Sequence, residues 1–236
     1  MTLPTVCVLA GGLGSRLGSQ VASVPKPIVE VAGRPFLLHQ LELLAAHGAD
    51  HVVMCVGYRG EQIEEVIGAS RYGIEIEYAY DGAELQGTLG AVRAAAPRLG
   101  QRFLVLYGDT YLRVDYQAVD RGWRSSGLPA LMTVLHNKGR WDVSNAVYEE
   151  GLVTRYDKRV PLPSMEWIDY GLTGLTADAV GLVDHGRSDL ADLHQVLAER
   201  RLLYGYVATE RFYEIGTAEA LAETDRFLRS ASHARP

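Results

Sequence analysis

The sequence has few cysteines, no long hydrophobic run and no excess of positive charge. Only two cysteines, Cys7 and Cys55, occur in 236 residues, and both lie within apolar stretches. Two thiols in such positions favour a reducing compartment over a disulfide-stabilised fold, and they exclude a metal cluster built on cysteine. The net charge of −6 argues against nucleic acid or an anionic membrane as a partner, because both bind basic surfaces.

Signals for secretion or membrane insertion are also missing from the sequence. No run approaches the roughly 18 apolar residues that cross a bilayer, and no basic segment leads into an apolar stretch of signal-peptide length. We therefore expect a cytoplasmic protein with no membrane partner. The 47% of hydrophobic residues and 22% of charged residues are typical of a globular fold, and the absence of a Pro/Ser-rich linker predicts one domain over residues 1–236.

Strand and helix patterns alternate along the chain. The first 135 residues or so predict successive strand and helix units on a mostly parallel sheet. Beyond them we predict a hairpin that turns at Glu150 and Gly151, a helix with Ser188 as its N-cap, and a closing helix after Thr217. The fold class is therefore α/β, with a Rossmann-like mixed sheet, mostly parallel, between two layers of helices.

The first predicted strand ends in a glycine-rich loop, GGLGSRL, at residues 11–17. The loop lacks the glycine spacing of a dinucleotide-binding fingerprint and the Lys-Ser/Thr ending of a Walker A motif. Its glycines still allow backbone amides to approach a base or a phosphate, and Arg16 can bind phosphate oxygens through two donors. Downstream, Lys26 stands between Pro25 and Pro27, and the prolines predict a stiff, extended backbone that aims its ammonium group.

Polar residues follow most of the other predicted strands. Because ligands of open α/β sheets bind beyond the carboxyl ends of the strands, these residues are candidates for one site. They are Asp81, Gly87 and Thr88 after the third strand, Asp109 after the fourth, and Asp157, Lys158, Asp169 and Glu214 after later ones.

Taken together, these motifs resemble those of sugar-1-phosphate nucleotidylyltransferases. LAGGLGSRL with a downstream PKP is similar to the GGxGxRL and PK signature of that family. GTLGA at residues 87–91, Gly108-Asp109 and the segment YEIGT at residues 213–217 resemble its base-contacting, metal-binding and late acidic motifs. The sequence departs from the family where Glu214 replaces a more frequent aspartate, where Asp157-Lys158 stands for Glu-Lys, and where Asp169-Tyr170-Gly171 stands for Asn-Ala-Gly.

The resemblance implies a nucleotide-diphospho-sugar transferase type of fold, with a nucleotide-binding half at about residues 1–135 and a sugar-binding half at about residues 136–230. It also implies roles for particular residues. Arg16, Lys26 and Asp109 are the candidate catalytic residues, and Asp109 and Glu214 are the candidate ligands of Mg²⁺. The candidate nucleotide-binding residues are Leu9, Ala10, Gly11, Gly12, Gly14, Ser15, Arg16, Asp81, Gly87 and Thr88. The candidate sugar-phosphate residues are Tyr107, Gly108, Asn145, Asp157, Lys158, Asp169 and Tyr170.

Simpler interpretations exist for several of these residues. Asp109 also suits a helix cap or a turn, and Glu214 suits a surface carboxylate on an edge strand. The charged run at residues 157–159 also suits a solvated hairpin, and Tyr170 suits a core position.

The implied reaction needs no protein nucleophile. A sugar 1-phosphate oxygen attacks the α-phosphorus of an NTP and pyrophosphate leaves in line, so that the protein positions two anions and neutralises charge. With 236 residues the chain resembles the compact branch of the family. That resemblance implies a heptose-1-phosphate guanylyltransferase-like enzyme. Uridylyl or cytidylyl transfer to a hexose or N-acetylmuramate 1-phosphate stays open, and so does a homodimer. Two other classes are an NDP-sugar-using glycosyltransferase and a non-catalytic nucleotide-binding module; Asp109-Thr110-Tyr111 lacks the Asp-x-Asp pair of the first class.

Overall fold

The computed structural model describes residues 2–12, 24–82, 86–184 and 189–233. Helices α1 to α7 are Phe36–Ala46, Gly60–Ile67, Gly87–Leu99, Tyr116–Ser126, Ala177–Val180, Leu190–Glu199 and Ala218–His233. Strands β1 to β14 are Thr5–Leu9, Glu30–Val31, Arg34–Pro35, His51–Val56, Ser70–Arg71, Ile74–Tyr80, Arg102–Tyr107, Thr110–Tyr111, Ala130–His136, Ala146–Glu149, Leu152–Tyr156, Trp167–Thr176, Leu203–Ala208 and Tyr213–Glu214. A single 3₁₀ turn covers Lys26–Ile28.

Ten of the described strands form one mixed sheet. Its order is β10-β11-β13-β9-β12-β7-β1-β4-β6-β5. The strands β7, β1, β4 and β6 are parallel neighbours. The long strand β12 is antiparallel to both of its main neighbours, β7 and β9. The predicted α/β class with a mixed sheet is confirmed, but the parallel series is interrupted because β12 lies between β7 and β9.

Helices cover both faces of the sheet, and each face has its own apolar core. The first core joins side chains of α1, α2 and α4 to Val6, Val8 and Met54 of the sheet. The second joins α3, α5 and α6 to Cys7, Val53 and Cys55. Successive residues of a strand point to opposite faces, so a strand buried on both sides is an uninterrupted apolar run. The alternation of the buried residues explains why TVCVL and HVVMCV contain almost no polar residue.

A third, smaller core lies next to the short strands β8 and β14. Val31, Phe36, Tyr111, Ile215 and Leu228 are buried together there. The short strands β8 and β14 pair antiparallel in this region, with Glu214 opposite Thr110. The third core therefore holds Glu214, which lies late in the chain, beside the residues that follow β7.

Two local predictions can be compared directly with the structure. The hairpin between β10 and β11 turns where expected, and Glu150 and Gly151 both have positive φ values (47° and 87°), as a tight hairpin turn requires. The N-cap of α6 is Asp189, whereas the predicted cap, Ser188, lies outside the described residues. In the part of the chain that the structure describes, no helix is long and apolar enough to span a membrane.

Candidate active site

A cavity of about 340 Å³ opens beyond the carboxyl ends of β1, β4 and β7. The first turn of α3 forms one wall, and the segment that contains the 3₁₀ turn forms another. Its lining residues are Leu9, Ala10, Gly11, Gly12, Lys26, Pro27, Cys55, Asp81, Gly87, Thr88, Ala91, Tyr107, Gly108, Asp109 and Asp189. The cavity therefore collects all of the nucleotide-binding candidates that the structure describes, together with Lys26 and Asp109.

Gly11 packs closely against another part of the chain. A Cβ atom at this position would lie 3.1 Å from the backbone nitrogen of Gly57 and 3.2 Å from Oδ2 of Asp81. Both distances are shorter than ordinary van der Waals contact, so a side chain would displace its neighbours. The absence of a side chain lets the Asp81 carboxylate approach the loop at the cavity wall. Gly14, Ser15 and Arg16, the other candidates of this loop, lie outside the described residues.

Lys26 enters the cavity from the 3₁₀ turn, and its side chain is only 11% exposed. Our prediction of an extended backbone at Lys26 was wrong. The extended residue is Pro25, with ψ at 136°, and Lys26 begins a turn closed by the N–H groups of Ile28 and Val29. Proline suits the start of such a turn because its φ is already helical and its missing N–H is not needed.

The Lys26 ammonium donates a hydrogen bond to Oδ2 of Asp109 at 2.5 Å. Glu214 lies close to the same group. A Cβ atom on Gly216 would be 3.3 Å from Oε2 of Glu214 and 3.5 Å from Nζ of Lys26. The backbones of the two acids are joined as well, because Ile215 donates its N–H to the carbonyl oxygen of Asp109 at 3.0 Å. The structure thus brings Lys26, Asp109 and Glu214 together.

These two carboxylates suit a magnesium ion in their chemistry. Mg²⁺ prefers hard oxygen ligands and is usually held by one or two carboxylates, with waters and substrate phosphates completing an octahedron. Asp109 lines the cavity, and Glu214 comes from an adjacent backbone segment. Among the described residues there is no group of three or more His, Cys, Asp or Glu side chains that could hold a metal, so this pair is what the described residues would supply.

Gln40 supports the turn that carries Asp109. It is buried in α1, and its side-chain amide donates to the carbonyl oxygens of Tyr107 and Thr110 at 2.9 and 2.8 Å. These carbonyls flank Gly108 and Asp109, so one amide fixes the turn from both sides. Nothing in the local sequence indicates this role, because the two carbonyl groups lie about 70 residues further along the chain.

Replacement of Gln40 by methionine tests its support of Asp109. Methionine has a similar shape but no donor, and a buried polar group left unpaired costs about 1–3 kcal/mol. We expect Gln40→Met to lower the free energy of unfolding in urea by about that amount. Gln195→Met on α6 is the matched control, since Gln195 is partly exposed and its side-chain amide donates to Glu199. Equal stability of the two variants would contradict the support by Gln40.

Thr88 and Asp189 form another part of the cavity wall. Oδ1 of Asp189 accepts from the backbone N–H of Thr88 at 3.2 Å, and the Thr88 hydroxyl accepts from the N–H of Leu190 at 2.8 Å. Each helix start therefore caps the other. The sequence analysis missed Asp189, although Asp189 and Asp192 have the spacing of a capping box.

Tyr107, the last residue of β7, also lines the cavity. Burial, followed by the negative charges of Asp169, Asp109 and Asp189, raises the pKa of the Tyr107 phenol. The phenol is therefore neutral at physiological pH and keeps its proton. Asp169 lies close enough to influence it and has its own fixed position, because the backbone N–H of Asp169 donates to Oδ1 of Asn145 at 2.9 Å.

The remaining sugar-side candidates lie beyond the cavity described above. Asp157 accepts hydrogen bonds from the N–H groups of Arg159 and Val160, both at 2.8 Å. These two bonds lower the pKa of Asp157. The carboxylate thus organises the turn that presents Lys158, an exposed side chain.

Tyr170 has no access to the cavity, which corrects our prediction that it contacts the sugar phosphate. Its side chain is 1% exposed and packs edge-on against Phe212. Along β12, Ile168, Tyr170 and Leu172 point to the face covered by α1, α2 and α4, whereas the cavity adjoins the other face. The two-residue period of a strand therefore directs this side chain into the core.

The charge of the cavity is unfavourable for a polyanion without added cations. Of its described lining residues, Asp81, Asp109 and Asp189 are acidic and Lys26 is basic. Burial raises the pKa of Asp81, which reflects the cost of holding a further charge there. A triphosphate would need a divalent cation or additional basic side chains in this cavity.

Comparison with known proteins gives a match over most of the chain. The family model for the MobA-like NTP transferase domain matches residues 6–222. The chain is 30% identical over 171 residues to a D-glycero-alpha-D-manno-heptose 1-phosphate guanylyltransferase of Campylobacter jejuni, covering 72% of this chain and 75% of that protein. It is 27% identical over 239 residues to a mannose-1-phosphate guanyltransferase of Eremothecium gossypii. That match covers 97% of this chain but only 66% of the relative, so the chain spans about two thirds of its length.

A solved structure supports the same fold. HddC from Yersinia pseudotuberculosis superimposes with a TM-score of 0.81 at 22% sequence identity, and the match covers 96% of this chain and 100% of that one. At this level of identity the likeness concerns the fold.

Proposed function

Since this chain belongs to the family of MobA-like NTP transferase domains, we propose that it transfers a guanylyl group from GTP to a sugar 1-phosphate. The acceptor we favour has the manno configuration, as in the named substrates of the two guanylyltransferases compared above. The products are a GDP-sugar and pyrophosphate. One observation carries the proposal: Lys26 and Asp109 line the same cavity as Gly11 and Gly12, and Glu214 lies beside Lys26.

The chain's own residues account for the positioning that such a reaction requires. Gly11 and Gly12 leave room for the nucleotide at the end of β1, and Lys26 holds a positive charge where phosphate charge develops. Asp109 and Glu214 would hold Mg²⁺, which supplies charge neutralisation and orients the phosphate oxygens. Gln40 supports the turn that carries Asp109, and the hydrogen bond between Thr88 and Asp189 holds the part of the cavity wall that these two residues form.

Asp81 is our candidate for recognition of guanine. The Watson–Crick edge of guanine carries two adjacent donors, N1–H and the exocyclic amino group, which match the two oxygens of a carboxylate. Uracil and thymine present one donor between two carbonyl groups, and the oxygens of those carbonyl groups would be repelled by a carboxylate. The carboxylate of Asp81 lies at the cavity wall beside Gly11, where a base can reach it.

Replacement of Asp81 by asparagine tests this recognition. Hydrogen bonds to a charged group contribute about 1.5–3 kcal/mol, so we expect GTP to bind about 10- to 100-fold more weakly to Asp81→Asn. Isothermal titration calorimetry with GTP, and with ITP, which lacks the exocyclic amino group, would measure these affinities. Wild type should prefer GTP and Asp81→Asn should lose that preference, whereas the control Asp50→Asn, an exposed residue, should keep it.

The pH dependence of GTP binding follows from the same carboxyl group. Burial raises the pKa of Asp81, and only the ionised form accepts both guanine hydrogen bonds. We therefore expect GTP affinity to fall as the pH is lowered through this raised pKa, and Asp81→Asn to lack that component. An identical acid-side loss in wild type and variant would contradict the assignment of Asp81 to guanine.

The reaction itself is tested by pyrophosphate release. Purified protein and Mg²⁺ are mixed with each of ATP, CTP, GTP, UTP and dTTP against mannose, manno-heptose, glucose and N-acetylmuramate 1-phosphates. The proposal expects the fastest release with GTP and a manno-configured acceptor. A different preferred base or sugar would overturn that part of it, and no release from any pair would overturn the transferase function.

A further inference from the structure

Asp189 joins two helix starts that are about 100 residues apart in the sequence. Its Oδ1 atom accepts from the backbone N–H of Thr88 at 3.2 Å and from the Thr88 hydroxyl at 3.4 Å. The same hydroxyl accepts from the N–H of Leu190 at 2.8 Å. The side chain of Asp189 is therefore held at one point on the cavity wall, where the residue is exposed.

The start of α6 is also stabilised from outside the cavity. Asp192 accepts a hydrogen bond from the N–H of Asp189 at 3.1 Å and pairs with Arg159 at 2.7 Å. Asp189 is among the described residues that line the cavity, whereas Asp192 is not. The two aspartates thus stabilise the same helix terminus, but of the two only Asp189 is a described lining residue of the cavity.

The charge of Asp189 decides which part of a substrate can lie beside it. Its hydrogen-bond donors among the described residues are neutral: the N–H and hydroxyl of Thr88 and, in the capping box, the backbone N–H of Asp192. A phosphate group at this point would be repelled by the carboxylate. The group that can attract phosphate or metal is instead the cluster of Lys26, Asp109 and Glu214. Hydroxyl groups, by contrast, donate to a carboxylate without bringing negative charge.

The neighbouring Tyr107 supports this division of the cavity. Tyr107 lines the same cavity, and burial together with the charges of Asp169, Asp109 and Asp189 raises the pKa of its phenol. A neutral phenol surrounded by carboxylates forms a polar, phosphate-repelling surface. Such a surface is suited to the hydroxylated part of a nucleotide or a sugar.

We propose that Asp189 binds a hydroxyl group of the substrate and selects against the corresponding deoxy compound. The inference rests on the proposed function, because both of its substrates carry neighbouring hydroxyl groups. The hydroxyl belongs to the ribose of GTP or to the ring of the acceptor sugar. Asp189 is then a specificity-determining residue for the transfer reaction.

Calorimetric binding of matched ligands tests the proposal and separates the two sources. The first arm compares GTP with its 2′-deoxy and 3′-deoxy forms, and the second compares mannose 1-phosphate with its 2-deoxy and 3-deoxy forms. We expect wild type to bind the parent compound of one arm about 10- to 100-fold more tightly than an analogue. Asp189→Ala should abolish that difference by weakening the parent alone.

Two further variants distinguish recognition from support of the fold. Asp189→Asn keeps an oxygen that can accept from Thr88, so it should fold normally and yet lose most of the selectivity. Asp192→Ala removes a hydrogen bond from the same helix start and should retain the selectivity of wild type.

Several outcomes would overturn the role of Asp189. One is a wild type that shows no selectivity in either arm; failure of mannose 1-phosphate to bind counts as no selectivity in its own arm. The others are unchanged selectivity in Asp189→Asn and an equal weakening of parent and analogues in Asp189→Ala. Because binding needs no turnover, a protein that binds these ligands selectively but releases no pyrophosphate would contradict the proposed function and leave the role of Asp189 standing.

Discussion

Replacement of Lys26 by alanine is expected to lower kcat about 100- to 1,000-fold. The ammonium group of Lys26 is the positive charge that the described cavity residues provide, and it is 11% exposed and bonded to Asp109. Removal of one such preorganised donor from an acyl- or phosphoryl-transfer site typically costs this factor in kcat. Steady-state kinetics with GTP and mannose 1-phosphate would measure this loss. We expect KM for GTP to change by less than about tenfold, because the nucleotide contacts proposed for the glycine loop and Asp81 do not involve Lys26.

The control for Lys26 is another lysine that does not face the cavity. Lys138 lies in the turn after β9, so Lys138→Ala removes the same charge from the protein without touching the site. It should retain wild-type kcat. A near-normal kcat in Lys26→Ala, or an equal loss in both variants, would contradict a catalytic role for Lys26, and circular dichroism should show both variants folded.

Asp109→Asn is expected to reduce activity at least about 100-fold and to raise the Mg²⁺ concentration needed for half-maximal rate. The amide has the shape of the carboxylate and can still accept from the Thr110 hydroxyl, which bonds to Oδ1 of Asp109 at 3.2 Å. It lacks the charge that holds a hard divalent cation. A titration of activity with Mg²⁺ separates weaker metal binding from a loss at saturating metal.

Glu214→Gln provides the companion measurement for the second carboxylate. If both acids hold the ion, each variant should shift the Mg²⁺ titration in the same direction. Asp115→Asn is the matched control, because Asp115 caps α4 through a hydrogen bond from the N–H of Ala118. Asp115 is not among the described residues that line the cavity. An unshifted titration in Asp109→Asn would contradict the metal role and favour a purely structural role in pairing with Lys26.

Much of the architecture follows from local patterns in the sequence. Apolar runs such as HVVMCV predict strands buried on both faces, and the periodic segments after them predict the helices that cover the sheet. The structure confirms the α/β class, and it confirms that Cys7 and Cys55 are buried free thiols. The catalytic, metal and sugar roles of individual residues stay predictions that the variants above would test.

The sequence was less informative about contacts between distant residues. It placed Tyr170 at the sugar because of a motif, whereas the alternation of β12 turns that side chain into the core. It gave Lys26 an extended backbone, whereas hydrogen bonds of Ile28 and Val29 close a turn. Gln40 and Asp189 were missed altogether because their partners lie far away in the chain.

By itself, then, the sequence determined which residue types would gather at one edge of the sheet. Glycines and carboxylates directly follow buried strands, and the carboxyl ends of neighbouring parallel strands meet at the same edge. Only the tertiary structure decided which of these groups touch. The pairing of Lys26 with Asp109 spans 83 positions and that of Thr88 with Asp189 spans 101, and contacts of such separation depend on sheet order and side-chain packing, which no local pattern encodes.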